Sequence, residues 1–231
     1  MQIAELARMM DLSCVQAAST LDEMRAAVDL ARRHGVCAVF VLPAHTAHLV
    51  DLLRDVPATC AGATVGFPSG AASTAGKVHE TREQLALGCR EFDMVHNLAW
   101  LKGGRYDLYT DDIKAVIGAA AGCPVKVILE CHYLTPDEIV RACELCAQAG
   151  AAFVKTGTGW APTGATLENV RLMKQTVGDR CGVKAAGGVR DLDTIRALHR
   201  LGATRFGIGV RTATAVLEGL AGAPVETDNK Y

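Results

Sequence analysis

Two lysines occupy positions where lysine is seldom found. Lys155 lies in the apolar run 152–156 and Lys184 in the run 182–186, and lysine is rarely buried without a partner or a purpose. One reading is structural: each ammonium pairs with an inward carboxylate such as Asp93 or Glu130. The other is chemical: one amine is a nucleophile and the other a neighbouring cation. For an amine with an ordinary pKa of about 10.4 to be neutral near pH 7, it must lose roughly 3.4 units of proton affinity, or ~4.6 kcal/mol. Two like charges about 4 Å apart at an effective dielectric of about 20 repel by about 4 kcal/mol. A second lysine is thus roughly sufficient, with burial adding to the shift. Asp93 would then carry protons through water.

Other residues suggest what such an amine would meet. Gly187-Gly188 and Gly207-Ile-Gly209 let backbone N–H groups approach an anion such as a phosphate at a helix start. Tight turns alone are the plainer alternative. Asp93, His96, Glu130 and His132 include metal-ligand types, so a metal-dependent lyase or hydrolase is a rival reading. Buried, hydrogen-bonded histidines account for them equally well. A barrel that binds a sugar phosphate without catalysis is a second rival, but binding alone has no need of a paired-lysine nucleophile.

These residues need elements to position them. Short β-branched runs at 9–13, 36–42, 63–67, 91–96, 125–130, 152–156, 182–186 and 205–208 read as strands. Helix-period segments follow near 21–34, 45–54, 75–87, 107–120, 135–148, 166–176, 191–200 and 211–219. Eight strand–helix pairs predict an α/β fold, a closed (β/α)8 or TIM barrel in a single domain over 1–220, with 221–231 a flexible tail. Thr20…Glu23 and Thr135-Pro-Asp-Glu138 read as capping boxes, the second with Pro136 at the first helical position. Gly35, Gly88, Gly150 and Gly202 read as left-handed helix ends. Five residues after each come Phe40, Asp93, Lys155 and Gly207, a register that points all four into the barrel.

Composition bounds the function. Of 231 residues half are apolar and 21% are charged, with a net charge of −1, so a broad nucleic-acid surface is not expected. The nine cysteines are odd in number and lie partly in apolar runs, as free thiols of a reducing compartment do. Cys143 and Cys146 form a C-x-x-C inside a helical apolar stripe, which favours packing over redox or metal chemistry. No basic flank precedes an apolar stretch at the start, and no apolar run reaches the ~20 residues of a membrane span. A soluble, cytoplasmic protein with no membrane partner is expected.

Taken in order, Met10-Asp11-Leu12-Ser13, Thr64-Val-Gly-Phe-Pro-Ser-Gly70, Glu91-Phe-Asp-Met-Val95, Val125-Lys-Val-Ile-Leu-Glu130, Ala152-Phe-Val-Lys-Thr156, Val183-Lys-Ala-Ala-Gly-Gly-Val-Arg190 and Arg205-Phe-Gly207 resemble the deoxyribose-phosphate aldolase family over nearly the whole chain. The resemblance implies a Schiff base on Lys155, Lys184 as the cation that lowers its pKa, Asp93 in carbinolamine and proton transfers, and Asp11 nearby. It implies reversible cleavage of 2-deoxyribose 5-phosphate to acetaldehyde and glyceraldehyde 3-phosphate, with small aldehyde and sugar-phosphate partners, no metal or organic cofactor, and a homodimer. Tyr231 resembles the terminal tyrosine with which some members move a proton at the donor carbon; an idle tail is the alternative.

The sequence also departs from the family. Gly157 stands where serine is expected in Lys155-Thr156-Gly157-Thr-Gly159, and Gly207-Ile-Gly209-Val210-Arg211 lacks the usual serine near the phosphate. Backbone N–H groups remain there, and Arg211 could supply a charge. Phe40 replaces a small cysteine beside the substrate, and His96, Asn97, His132 and Tyr133 replace apolar, small or acidic residues. Thr156, which keeps the family residue, and Phe40, His96 and His132, which do not, join Gly187, Gly188, Gly207, Gly209 and Arg211 as candidate substrate- or phosphate-binding positions. The chemistry is expected to be kept, and a related aldolase with a shifted aldehyde or sugar substrate is the alternative.

Overall fold

The computed structural model describes residues 2–219. Tyr231 and the 221–231 segment lie outside the described residues. Eight parallel strands close into a barrel: β1 (Met10–Cys14), β2 (Ala38–Val41), β3 (Cys60–Val65), β4 (Glu91–Val95), β5 (Val125–Ile128), β6 (Phe153–Lys155), β7 (Gly182–Ala186) and β8 (Arg205–Gly209). Each pairs with its successor, and β8 pairs back to β1 through Asp11 opposite Gly207 and Ser13 opposite Gly209. Among the described residues, no helix is long and apolar enough to cross a membrane.

Around the barrel run α1 (Ile3–Ala7), α2 (Leu21–His34), α3 (Thr46–Leu52), α4 (Thr74–Leu87), α5 (Leu98–Lys102), α6 (Tyr106–Ala119), α7 (Pro136–Ala149), α8 (Leu167–Val177), α9 (Leu192–Arg200) and α10 (Val210–Leu217). Local chemistry sets their ends. Thr135 and Glu138 form a complete reciprocal capping box at α7, whereas at α2 only the Thr20 half is made. Gly35, Gly88, Gly150 and Gly202 all take positive φ, which glycine adopts without a Cβ penalty. The structure adds α1 and the short α5 to the predicted helices; α6 matches the helix expected near 107–120, and Gly104, at φ 69°, lies between α5 and α6. It also moves the third strand to Cys60–Val65: Gly62 inside it hides the apolar pattern, and Gly66, at φ 62°, ends it.

The period of two decides which side chains enter the barrel. Asp11, Phe40, Asp93, Lys126, Lys155, Lys184 and Arg205 share the inner face, as their mutual contacts require. Met10, Leu12, Val39, Phe92, Val127 and Val154 alternate with them and join the core beneath the helices. Large and small residues complement each other inside. A Cβ on Gly62 would lie 2.5 Å from the Phe40 ring, and Gly182 makes room for Phe153 in the same way. The predicted inward register of Phe40, Asp93, Lys155 and Gly207 matches this arrangement.

Candidate active site

Charge fills the interior. Lys155 ends β6 and Lys184 is its register partner on β7. Both Nζ atoms lie 2.7 Å from the same atom, Asp93 Oδ2. Asp11 Oδ2 is 2.6 Å from Lys184 and its Oδ1 is 2.7 Å from Arg205. Lys126, on β5 beside Asp93, reaches Asp93 Oδ1 and Asp11 Oδ2 at 3.3 Å each and donates to Glu91. Arg205 closes the network on Glu91 at 3.1 Å. Phe40 floors it, with its ring centroid 4.2 Å from Lys126 Nζ and 4.3 Å from Lys184 Nζ.

Three carboxylates (Asp11, Glu91, Asp93) thus face four cations (Lys126, Lys155, Lys184, Arg205), and loss of one proton would balance the cluster. Burial opposes the charge on Asp93, but Lys155, Lys184 and Lys126 together hold it well below the usual carboxylate range. Burial likewise opposes Asp11, and Lys126, Lys184 and Arg205 outweigh it, bringing it to about 2. Burial would lower Lys126, yet Asp11, Asp93 and Glu91 raise it above the ordinary lysine value. Lys184 differs. Burial lowers it, Asp11 and Asp93 offset part of that, and Lys155 and Lys126 lower it again, to about 8.

This arrangement refines the simple two-lysine argument. A carboxylate oxygen stands between the amines, so their repulsion is opposed by attraction of the same order. The loosely held proton is on Lys184, and Asp93 Oδ2, in reach of both, gives it a path to or from Lys155. Access separates the two lysines. Lys184 is 0% exposed, whereas Lys155, the last residue of its strand, keeps 4%. The C-terminal mouth therefore leads to Lys155 first.

The rim is built by β6 and its following loop. Thr156, expected to meet substrate, is fully buried; its hydroxyl donates to the Ala186 carbonyl at 2.6 Å and accepts from the Ala186 N–H at 2.9 Å. It zips β6 to β7 beyond Lys155. Glu130 accepts from the backbone and hydroxyl of Thr158, and burial raises its pKa. A Cβ on Gly157 would lie 2.8 Å from Glu130 Oε1, so the glycine at that position makes room for the carboxylate. Gly187 and Gly188 follow β7 at φ 82° and 84°. Gly209 starts α10 without a side-chain cap, which leaves first-turn N–H groups for an anion. Arg211 lies in that turn and is exposed.

The two predicted histidines fall in different places. Asp93 and His96 are three apart, so they face opposite sides of the strand. His96 points into the helix layer, fully buried, with Nδ1 2.9 Å from the Tyr109 hydroxyl. It cannot touch a substrate beside Asp93. His132 sits exposed on the turn Cys131–Tyr133, its Nδ1 2.8 Å from Thr163 Oγ1. The proposed ligand set Asp93, His96, Glu130 and His132 does not converge, and among the described residues no cluster of three or more His, Cys, Asp or Glu is placed to hold a metal ion. All nine cysteines are free; Cys143 and Cys146 are buried, and Cys37, Cys60 and Cys123 are half-buried.

His96 gives a stability prediction. Burial, with Lys77 nearby, pushes the imidazole from 6.5 down to about 3. Below pH 6.5 the unfolded chain binds a proton that the folded protein refuses, so stability falls with pH until about 3. Between pH 6.5 and 4.5 this residue should remove about 2 kcal/mol. Urea unfolding of His96→Gln should show a shallower loss over that interval than the unsubstituted protein; parallel curves would refute the assignment.

Sequence reasoning gave no role to Lys126, Glu91 or Arg205. The alternation of Val125-Lys-Val-Ile128 places Lys126 in the same inward phase as Asp93, so that signal was available.

Comparison with known proteins agrees with this geometry. The family profile described as DeoC/LacD family aldolase matches residues 5–217. The deoxyribose-phosphate aldolase of Klebsiella pneumoniae is 46% identical over 220 residues, covering 94% of this chain and 88% of that protein. A crystal structure of a putative deoxyribose-phosphate aldolase from Coccidioides immitis superposes with a TM-score of 0.90 at 33% identity, covering 95% and 87% of the two chains. The deoxyribose phosphate aldolase from Aeropyrum pernix, described as having a unique tetrameric structure, gives 0.87 at 25% identity, covering 95% and 92%.

Proposed function

The chain belongs to the DeoC/LacD family of aldolases and is a lyase, and from that premise we propose that Lys155 cleaves 2-deoxy-D-ribose 5-phosphate through a Schiff base. The amine adds to C1 of the open-chain aldehyde, and water leaves from the carbinolamine to give an iminium. A base takes the C3 hydroxyl proton, the C2–C3 bond breaks, and its electrons pass to the iminium as an enamine. Glyceraldehyde 3-phosphate leaves. The enamine is protonated at C2, and water releases acetaldehyde and restores the amine.

The observation that carries this reading is the position of Lys155 at the mouth end of β6, its Nζ on Asp93 Oδ2 and its register partner Lys184 on the same oxygen. Asp93 and Lys184 act as the proton store, and Asp11 holds Lys184 in place at 2.6 Å. Gly187, Gly188, Gly207 and Gly209, with Arg211, take the phosphate. Tyr231 lies outside the described residues and is assigned nothing further. Borohydride with acetaldehyde should add 28 Da, roughly, to the peptide containing position 155; an unmodified peptide would overturn the mechanism. An assembly of two copies belongs to the same proposal and is read by light scattering.

The phosphate site supports a measurable preference. Charge-assisted hydrogen bonds contribute ~1.5–3 kcal/mol each. The kcat/KM for deoxyribose 5-phosphate should therefore exceed that for deoxyribose by about 10²-fold. A ratio near one would instead favour the shifted-substrate reading, which rests on the loss of hydroxyl donors at Gly157 and Gly207–Gly209.

A further inference from the structure

Trp160 takes an unusual path. It follows Lys155 by five residues in the loop after β6, yet its indole N–H donates to the Val15 carbonyl, just beyond β1, at 2.9 Å. Its ring meets Phe67, in the loop after β3, edge-on, with centroids 5.9 Å apart and an interplanar angle of 86°. In the closed order β1 to β8, both β1 and β3 stand three staves from β6. A side chain that rises from one stave and touches loops three staves away on either side crosses the opening of the barrel.

The backbone carrying it is fixed on the far side. The Ala165 N–H donates to the Gly187 carbonyl at 2.7 Å, and the Thr158 N–H donates to Glu130 at 3.2 Å. The Trp160 N–H donates to Thr158 Oγ1 at 3.0 Å. Although held in this way, the residue remains 43% exposed. A fixed, half-exposed aromatic ring is an apolar surface with little ordering left to do on binding. Beneath Phe67 lies buried apolar packing. Val15, Ala38 and Phe40, with Leu42 and Phe67 packed on them, form a cluster separate from the main core. It runs down to the Phe40 ring beneath Lys126 and Lys184.

We propose that Trp160 is a specificity-determining residue that gives the acceptor end of the site an aromatic wall for unphosphorylated aldehydes carrying an apolar chain or ring. The proposal rests on the Schiff-base reading above. In the synthetic direction the enamine carbon attacks the acceptor carbonyl carbon and one C–C bond forms. The carbonyl electrons go to oxygen, which takes a proton, and water then frees the 3-hydroxyaldehyde from the lysine. Wall and phosphate cradle serve different acceptors: the first takes an alkyl or phenyl group, the second a phosphate on the β7–β8 side.

The test is addition of acetaldehyde to hexanal or to glyceraldehyde 3-phosphate, with each acceptor varied. Trp160→Ala should raise KM for hexanal about tenfold or more and leave kcat within about twofold and the phosphorylated acceptor nearly unchanged. Trp160→Phe, which keeps an aromatic face, should stay within about threefold for both. Borohydride trapping of acetaldehyde on Lys155 should be the same in all three proteins. An unchanged KM for hexanal in Trp160→Ala, or equal losses with both acceptors, would overturn the proposal while trapping persists. Absence of trapping in the unsubstituted protein would instead remove the Schiff-base reading.

Discussion

Lys155→Met is expected to lower kcat by about 10⁴-fold or more and to abolish the borohydride-trapped acetaldehyde adduct, without harming the fold. The size follows from the role: no neighbouring amine replaces the nucleophile, because Lys184 is fully buried behind Asp93 and Lys155. The stability expectation follows from charge. Removing Lys155 leaves Lys126, Lys184 and Arg205 facing Asp11, Glu91 and Asp93, a balanced set. An unbranched methionine fills a similar volume, so thermal midpoint should hold or rise. Substantial turnover by a folded Lys155→Met protein would end the mechanism proposed above. A folded protein with adduct on position 184 would move the nucleophile to the neighbouring strand.

Asp93→Asn should be harmful to both chemistry and stability. The carboxylate accepts from Lys155 and Lys184 through one oxygen and faces Lys126 through the other. An amide offers no charge, and its NH2 would face an ammonium. Two carboxylates would then oppose four cations, and breaking a buried ionic group in this way costs about 3–5 kcal/mol. Loss of the proton path should lower kcat by about 10²–10⁴-fold. The pH dependence distinguishes this from simple unfolding. Without the carboxylate the protonated amines lose their attraction, so their proton affinity falls. Among molecules that remain folded, the pH midpoint of adduct formation should move to lower pH than in the unsubstituted protein. A move to higher pH would contradict the electrostatic account.

The sequence carried the barrel because each strand and helix has its own local signal: β-branched runs, the Thr135 capping box and glycines at helix ends. It carried Lys155, Lys184 and Asp93 because charge inside an apolar strand is conspicuous. It did not carry the contacts among them. That one oxygen of Asp93 serves two lysines depends on the closure of β4 through β7, a relation across 62 residues to Lys155 and 91 to Lys184. His96 was misplaced for a simpler reason: an odd spacing from Asp93 puts it on the other face, and its partner Tyr109 lies on a helix 13 residues away. Thr156, a candidate for substrate contact, has its hydroxyl occupied by the Ala186 backbone, a partner 30 residues away. The position of Trp160 after the sixth strand pointed to the pocket mouth, with packing as the alternative, but its contacts with Val15 and Phe67 depend on how distant loops meet.

The pairing of β1 with β8, reinforced by the Asp11–Arg205 contact at 2.7 Å, bears on how the molecule must be made. While the chain emerges from the ribosome, β1 waits with one unpaired edge, and Asp11 without its arginine partner, until β8 has been translated. Separately expressed halves would each present such edges to other chains.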